Sequence, residues 1–198
     1  MNVLIAGATG QTGSRLVHEL LSRGHHPIAL VRDDSDTDAL PDSVGLRHGD
    51  LTELPDDVCE GCDVVVFAAG SGGSTGPEMT DAVDRDGAKR LIDLAKRAGV
   101  GRFVMLSSIG AGDPDSDSEL AHYLQAKHDA DEYLESSGLS YAILRPVELT
   151  EEDGEGVVRL GDEVDPGATA ARGDVASVLA DAVEEPQWEG KVRRMQSA

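Results

Sequence analysis

Residues 2–13, NVLIAGATGQTG, constrain this chain more than any other stretch. Val3, Leu4 and Ile5 form an apolar run with β-branched members, suited to a strand buried on both faces of a parallel sheet. Gly7, Gly10 and Gly13 follow in G-x-x-G-x-x-G spacing. Residues 14–23 then read as a helix, with Leu16, Val17, Leu20 and Leu21 on one face. The glycines therefore lie at a strand-to-helix turn. Gly7 permits a tight turn, Gly10 lets backbone approach a pyrophosphate, and Gly13 lets the helix pack close to the strand. The helix N-terminus offers N–H groups and a positive dipole end to phosphates. Thr9, Gln11 and Thr12 belong to the same turn. A glycine-rich turn without a ligand is the plainer reading, and the flanking strand and helix favour the phosphate site.

The rest of the chain alternates in the same way. Residues 27–31 (PIALV), 44–48, 63–69 (DVVVFAA), 102–107 and 140–145 read as strands, with thinner strands expected at 157–160 and 191–195. Long helices are expected over 78–98 and 119–137, a further one over 173–184, and a short helical segment over 54–60. Residues 33–42 read as a loop with a turn of helix. Residues 70–77 (GSGGSTGP) and the acidic residues 110–118 read as loops. This alternation predicts a doubly wound Rossmann fold: three α/β/α layers around a mostly parallel sheet of order 3-2-1-4-5-6, with a short C-terminal strand. A single domain spans 1–198, with a small substrate-side portion at about 147–198. Ligands of such sheets bind beyond the C-terminal strand ends. The glycine turn, Arg32, Asp50, the 70–76 loop, Ser107 and Ser108 all fall at such ends.

Composition narrows the partners. The net charge is −21, with 38 acidic against 17 basic residues. A surface this negative repels nucleic acid and anionic membranes. Long apolar runs are absent and the first residues enter a strand, so the expectation is a cytoplasmic protein without a membrane span, monomeric or homodimeric, acting on a small molecule. Lysines are few (Lys89, Lys96, Lys127 and Lys191) and aromatic content is 3%. Together with the scattered acids, this composition suggests a halophilic cytoplasm, where concentrated salt screens self-repulsion. Cys59 and Cys62 form C-x-x-C, open to a redox pair or half a zinc site. No second ligand pair has metal spacing, so a small buried role before a strand is expected and no metal is. The acidic residues 113–117 read as solvated rather than cation-binding.

The end of the second strand bears on the nucleotide. An acidic residue there would bond a ribose 2′-hydroxyl, whereas a 2′-phosphate wants arginine. Val31 stands at that position and Arg32 follows, so NADP(H) is expected over NAD(H). Arg32 could instead simply pair with Asp33 or Asp34.

The chain resembles an atypical member of the short-chain dehydrogenase/reductase superfamily. It is similar to small NAD(P)-binding proteins described as NAD-dependent epimerase/dehydratases or YhfK-like sugar epimerases, and is akin to NmrA-like and biliverdin/flavin reductase proteins. The resemblance runs over residues 1–195 and is carried by GATGQTG, LVR (30–32), GDL (49–51), AAG (68–70), DRDGA (84–88), FVMLSS (103–108), HYLQAK (122–127), YAILRP (141–146) and DVA (174–176). It implies cofactor contacts from Asp50, Leu51, Ala68, Ala69, Gly70, Asp84 and Ser107, with Pro146 and Val147 flanking a nicotinamide and the 70–76 loop closing over it.

Tyr123 and Lys127 match the family's Y-x-x-x-K pair. Residues i and i+4 share a helix face, so phenol and ammonium can both point at the nicotinamide ribose. The ammonium favours the phenolate and makes Tyr123 usable as a general acid/base. Ser108 matches the serine that bonds the reacting oxygen, with Ser107 the alternative one residue away. His122 reads as a partly exposed helix residue. Asp84 stands where the family usually has asparagine. Only 52 residues follow Pro146 (198 − 146), few for a sugar-nucleotide lobe. An oxidoreductase or epimerase acting on a small carbonyl or sugar-like substrate is expected. The alternatives are a non-catalytic NADP sensor and an NADPH-dependent flavin or quinone reductase.

The acidic, lysine-poor composition carries its own test. Thermal melts and activity from low-salt buffer to concentrated KCl should show both rising with salt. Full folding and activity without added KCl would remove the halophilic reading.

Overall fold

The computed structural model describes residues 1–71, 76–114 and 120–198. Its strands are β1 (Asn2–Ala6), β2 (His26–Val31), β3 (Gly45–His48), β4 (Val64–Phe67), β5 (Arg102–Leu106), β6 (Tyr141–Pro146), β7 (Glu148–Thr150), β8 (Val158–Leu160), β9 (Thr169–Ala171) and β10 (Lys191–Ser197). The helices are α1 (Gln11–Ser22), α2 (Pro77–Thr80), α3 (Ala88–Ala98), α4 (Ala121–Ser136) and α5 (Arg172–Glu184). One eight-stranded sheet runs β3-β2-β1-β4-β5-β6-β10-β8. It is parallel except where β10 meets β8. This is the expected doubly wound Rossmann order, extended at one edge by β10 and β8.

The apolar strands are continuous because both faces of the sheet are covered. Alternate side chains feed two cores. Val3, Ile5, Val64, Val66, Val104 and Leu144 pack with Leu16, Leu20, Leu179 and Val183 of α1 and α5. Leu4, Val65, Phe67, Phe103, Met105 and Ile143 pack on the other side with Leu91, Ile92 and Leu134 of α3 and α4. Helix α3 stops where Gly99 adopts φ 71°. Its N–H donates to Lys96 and that of Val100 to Ala95, which satisfies the last carbonyls of the helix. On the α1 side, Arg23 donates to Glu19, Asp181 and Glu184 and ties α1 to α5.

Three expected elements differ. Residues 54–60 are successive turns rather than helix. Val58 bonds back to Pro55, Glu60 to Asp57 and Cys62 to Cys59, and Gly61 sits at φ 71°. Residues 33–42 form turns without a helical segment. The helix over 78–98 is interrupted by a wider π-helical stretch, Asp81–Gly87. A Cβ on Gly87 would lie 3.0 Å from Leu51 Cβ and 3.1 Å from its carbonyl oxygen, so this stretch is pressed against the loop after β3. The expected loops 70–77 and 110–118 lie partly outside the described residues. Strands β7 and β9, a separate parallel pair, carry no sequence signal because three residues are too few to show a period.

The segment after β7 is locked to the start of α5. A Cβ on Gly173 would lie 1.8 Å from the Asp153 carbonyl oxygen, and the Gly173 N–H donates to Glu152 O at 3.2 Å. Gly173→Ala must therefore shift backbone. The expected loss is about 1–3 kcal/mol, as for other overpacked sites, read as a lower midpoint in urea unfolding.

Candidate functional site

The C-terminal ends of β1, β4 and β5 converge on α1 and α4. Gly7 adopts φ 87°, and a Cβ there would lie 2.7 Å from the backbone of Ala68. A Cβ on Gly13 would lie 2.0 Å from Gly7 O. Both glycines are thus dictated by the close approach of the β1–α1 turn to itself and to the end of β4. Gly10 opens α1 without a side-chain cap, and the first turn holds no acidic residue. That helix end is suited to an anion.

Two chambers meet at Gly10 and residues 68–71. The chamber on the β2 side, about 370 Å3, is lined by Gly7, Thr9, Arg32, Asp50, Leu51, Ala68, Ala69 and Gly70, with Met79 and Val83 opposite. The chamber on the α4 side, about 600 Å3, is lined by Gln11, Thr12, Thr80, Leu106, Ser107, His122, Tyr123, Lys127, Leu149 and Arg172 among others. Arg32 is exposed and paired with Asp34 at 3.2 Å. Two hydrogen bonds from Thr52 to the Asp50 carboxylate hold Asp50 below the ordinary carboxylate range.

Behind the α4-side chamber lies a buried charge network. Lys127 is 3% exposed and Asp84 fully buried. The ammonium lies 3.1 Å from Asp84 Oδ1, with the carbonyls of Ala69 and Leu106 at 3.4 and 3.5 Å. It faces the rings of Phe67 and Tyr123 at 5.6 and 5.7 Å. Burial alone would lower the Lys127 pKa. Tyr123 and Asp84 outweigh it, and the ammonium is held above its ordinary value. The other Asp84 oxygen, Oδ2, accepts the Ser71 N–H at 2.9 Å. One helical turn beyond Lys127, fully buried Asp131 accepts hydrogen bonds from Ser107 Oγ at 2.7 Å and Arg145 Nε at 2.9 Å. Burial raises the Asp131 carboxyl against these partners. Asp131 Oδ1 has no hydrogen-bond partner among the described residues.

Of the residues singled out in the sequence, five lie off the cavity wall. Gly13 is packed beneath the turn, and Asp84 stands behind Lys127. Ser107, rather than Ser108, lines the chamber; it follows directly on β5 and donates to Asp131 behind the wall. Pro146 and Val147 are also off the wall. Pro146 is aligned with Met195 of β10, and the Val147 N–H donates to Met195 O at 3.0 Å. This pairing turns Val147 into the core and leaves Leu149 to face the chamber. Asp131 and Arg172 went unread in the sequence. Asp131 continues the Tyr123 and Lys127 face by one more i+4 step, so the helix pattern contained it. Arg172 is 160 positions from its partner Thr12, and no local signal marks it. Cys59 and Cys62 are buried and free. Burial pushes the Cys59 thiol up to about 12, and Arg47 donates to Cys62 Sγ, as suits packing rather than redox chemistry.

The model of a family described as NAD(P)H-binding matches residues 7–186. The uncharacterised sugar epimerase YhfK of Bacillus subtilis is 38% identical over 198 residues, which cover 96% of this chain and 92% of that protein. A solved structure from Bacillus halodurans, provisionally described as an NAD-dependent epimerase/dehydratase, superposes with a TM-score of 0.94 at 36% identity. The match covers 100% of this chain and 94% of that one. The oxidoreductase ylbE from Lactococcus lactis superposes with a TM-score of 0.88 at 32% identity, over 100% and 91% of the two chains.

The buried pair Asp131–Arg145 makes a specific demand on stability. Asp131→Ala strands the Arg145 guanidinium, whose side chain is 16% exposed, and should cost about 3 kcal/mol or more. Adding Arg145→Met should restore most of the loss, measured by urea unfolding of the single and double variants.

Proposed function

Because the chain belongs to the NAD(P)H-binding family, we propose that it is an NADP(H)-dependent oxidoreductase or epimerase acting on a small hydroxyl- or carbonyl-bearing substrate in the α4-side chamber. The observation that carries this reading is the convergence of Tyr123, Lys127 and Ser107 on one wall of that chamber. The glycine turn fits the cofactor. Gly10 borders both chambers and lacks a side chain where a diphosphate would cross between them. The uncapped end of α1 supplies N–H donors at that crossing.

In this reading Asp50 and Leu51 border the adenosine half, and Arg32 is the group offered to a 2′-phosphate. The exposed Arg32–Asp34 pair is worth only about 0.2–1 kcal/mol, so a phosphate can exchange with it. When bound, the nicotinamide supplies or takes up a hydride. Tyr123 moves the matching proton at its phenolic oxygen. The Lys127 ammonium, held in place by Asp84 and the two carbonyls, is the charged neighbour of Tyr123, 5.7 Å from its ring. Ser107 orients the substrate oxygen. With its hydroxyl hydrogen donated to Asp131 it accepts from a substrate hydroxyl, and it donates to a carbonyl oxygen by exchanging Asp131 for that oxygen.

The chamber size supports an enzyme over a nucleotide sensor. About 600 Å3 is the scale of a small-molecule site, and it must hold the nicotinamide ribose as well as substrate. A small substrate follows. Asp84 in place of the usual asparagine leaves Lys127 beside Tyr123, which keeps the acid/base pair intact.

The test is NADPH oxidation in concentrated KCl with quinones, aldehydes, ketones and flavins, on wild type and Tyr123→Phe together. Tyr123→Phe should lower kcat by roughly 100- to 10,000-fold while leaving the Kd for NADPH within a factor of a few. Turnover that survives the substitution points to direct flavin-type reduction. Arg32→Ala should weaken NADPH but not NADH, measured by nucleotide fluorescence. Equal affinity of wild type and Arg32→Ala for NADPH would remove the NADP(H) assignment.

A further inference from the structure

The α4-side chamber differs in charge from the molecule around it. The chain has 38 acidic residues, yet no described residue lining this chamber is Asp or Glu. Its ionisable wall is Lys127, Arg172, His122 and Tyr123. Asp84 already balances Lys127 from behind. Arg172 is different. Its Nη1 donates to Thr12 Oγ1 at 3.0 Å, beside the uncapped end of α1. Its Nε reaches Glu151 Oε1 at 3.3 Å. Glu151 is 63% exposed and the Arg172 side chain only 23%, so water screens this pair and it leaves the guanidinium undercompensated. A guanidinium has five donors in a fixed fork, and these two bonds engage two of them.

The fold holds this guanidinium in position from three sides. Arg172 is the first residue of α5, directly after β9. Gly173 seats that helix start on Asp153. From the other side Arg15 donates to Asp153 Oδ1 at 2.9 Å and to Glu151 O at 2.7 Å, which ties α1 to the 151–153 segment. A preset planar fork in a chamber whose described lining carries no Asp or Glu is suited to phosphate or carboxylate oxygens.

We propose that Arg172 is the anion receptor of this chamber and that it binds phosphate or carboxylate oxygens there. The group comes either from the cofactor diphosphate or from an acidic substrate. The assignment of the chamber rests on the cofactor reading above.

The test measures NADP+ affinity by calorimetry at constant KCl for wild type, Arg172→Gln, Arg172→Lys and Glu151→Gln, with thermal melts to verify folding. The NADP+-saturated proteins are then titrated with glycolate and with inorganic phosphate. If the diphosphate is the ligand, Arg172→Gln weakens NADP+ by about tenfold or more, Arg172→Lys weakens it less, and Glu151→Gln tightens it. A gain in Glu151→Gln is the opposite of what a merely loosened fold would give. If the substrate supplies the anion, NADP+ affinity is unchanged, and the wild-type binary complex binds glycolate or phosphate while that of Arg172→Gln does not. Variants that match wild type for NADP+ and for both anions overturn the proposal. If wild type binds neither NADP+ nor NAD+, the cofactor reading falls on its own. Arg172 is then judged by inorganic pyrophosphate binding to the free protein, where equal affinity in Arg172→Gln overturns it.

Discussion

The ion pair between Lys127 and Asp84 is the contact on which the site depends. Both groups are buried, and an ion stripped of water is stable only beside a partner of opposite sign. Removing either would leave an uncompensated charge at the meeting point of β4, β5, α4 and the π-helical stretch. A buried pair of this kind adds little net stability over apolar packing. Its effect is to fix where an ammonium sits, and here that is beside the Tyr123 ring. The same constraint repeats one helical turn along, where Asp131 balances Arg145 and receives the Ser107 hydroxyl. Two buried carboxylates thus stand behind one chamber wall. Asp84 supports Lys127 of that wall and Asp131 supports Ser107.

The π-helical stretch gives this network its geometry. A π turn holds more residues per turn than an α-helix and rotates the following side chains relative to the expected face. Asp84 lies in the middle of Asp81–Gly87 and is fully buried, against the usual preference of aspartate for water. The missing side chain at Gly87 lets this widened turn press on Leu51. Leu51 borders the β2-side chamber, while Asp84 holds Lys127 at the other. One local irregularity therefore touches both halves of the cavity.

These relations explain what could be read from the chain in advance. The sheet order was legible because β1, β4, β5 and β6 are short apolar runs buried on both faces, the first three each followed by a helix. The phosphate-binding turn was legible because Gly7 and Gly13 answer to steric contacts that only glycine meets. Tyr123 and Lys127 were legible through their i+4 spacing, and Asp131 would have been by the same spacing. The choice between Ser107 and Ser108 was not, since a strand end uncertain by one residue reverses which side chain faces the ligand. Pro146 and Val147 were displaced for a related reason. Pairing with β10 turns the end of β6 into the sheet, and that pairing is set by residues some 50 positions later. Arg172 depended on a contact between opposite ends of the chain, which no window of sequence contains.

The surface and the chamber place opposite demands on charge. Thirty-eight acidic residues generate a field that repels an anionic nucleotide as it approaches, and salt shortens the reach of that field to a few ångströms at molar concentration. Inside the chamber that screening is weaker, because fewer ions and waters enter. Fixed local charge then decides which ligand is held. Among the described residues, a wall without Asp or Glu sets Arg172 and the positive end of α1 against the ligand. Concentrated salt would therefore act mainly on approach and on the stability of the acidic shell, while retention of the bound anion would rest on the buried and half-buried groups that salt reaches least.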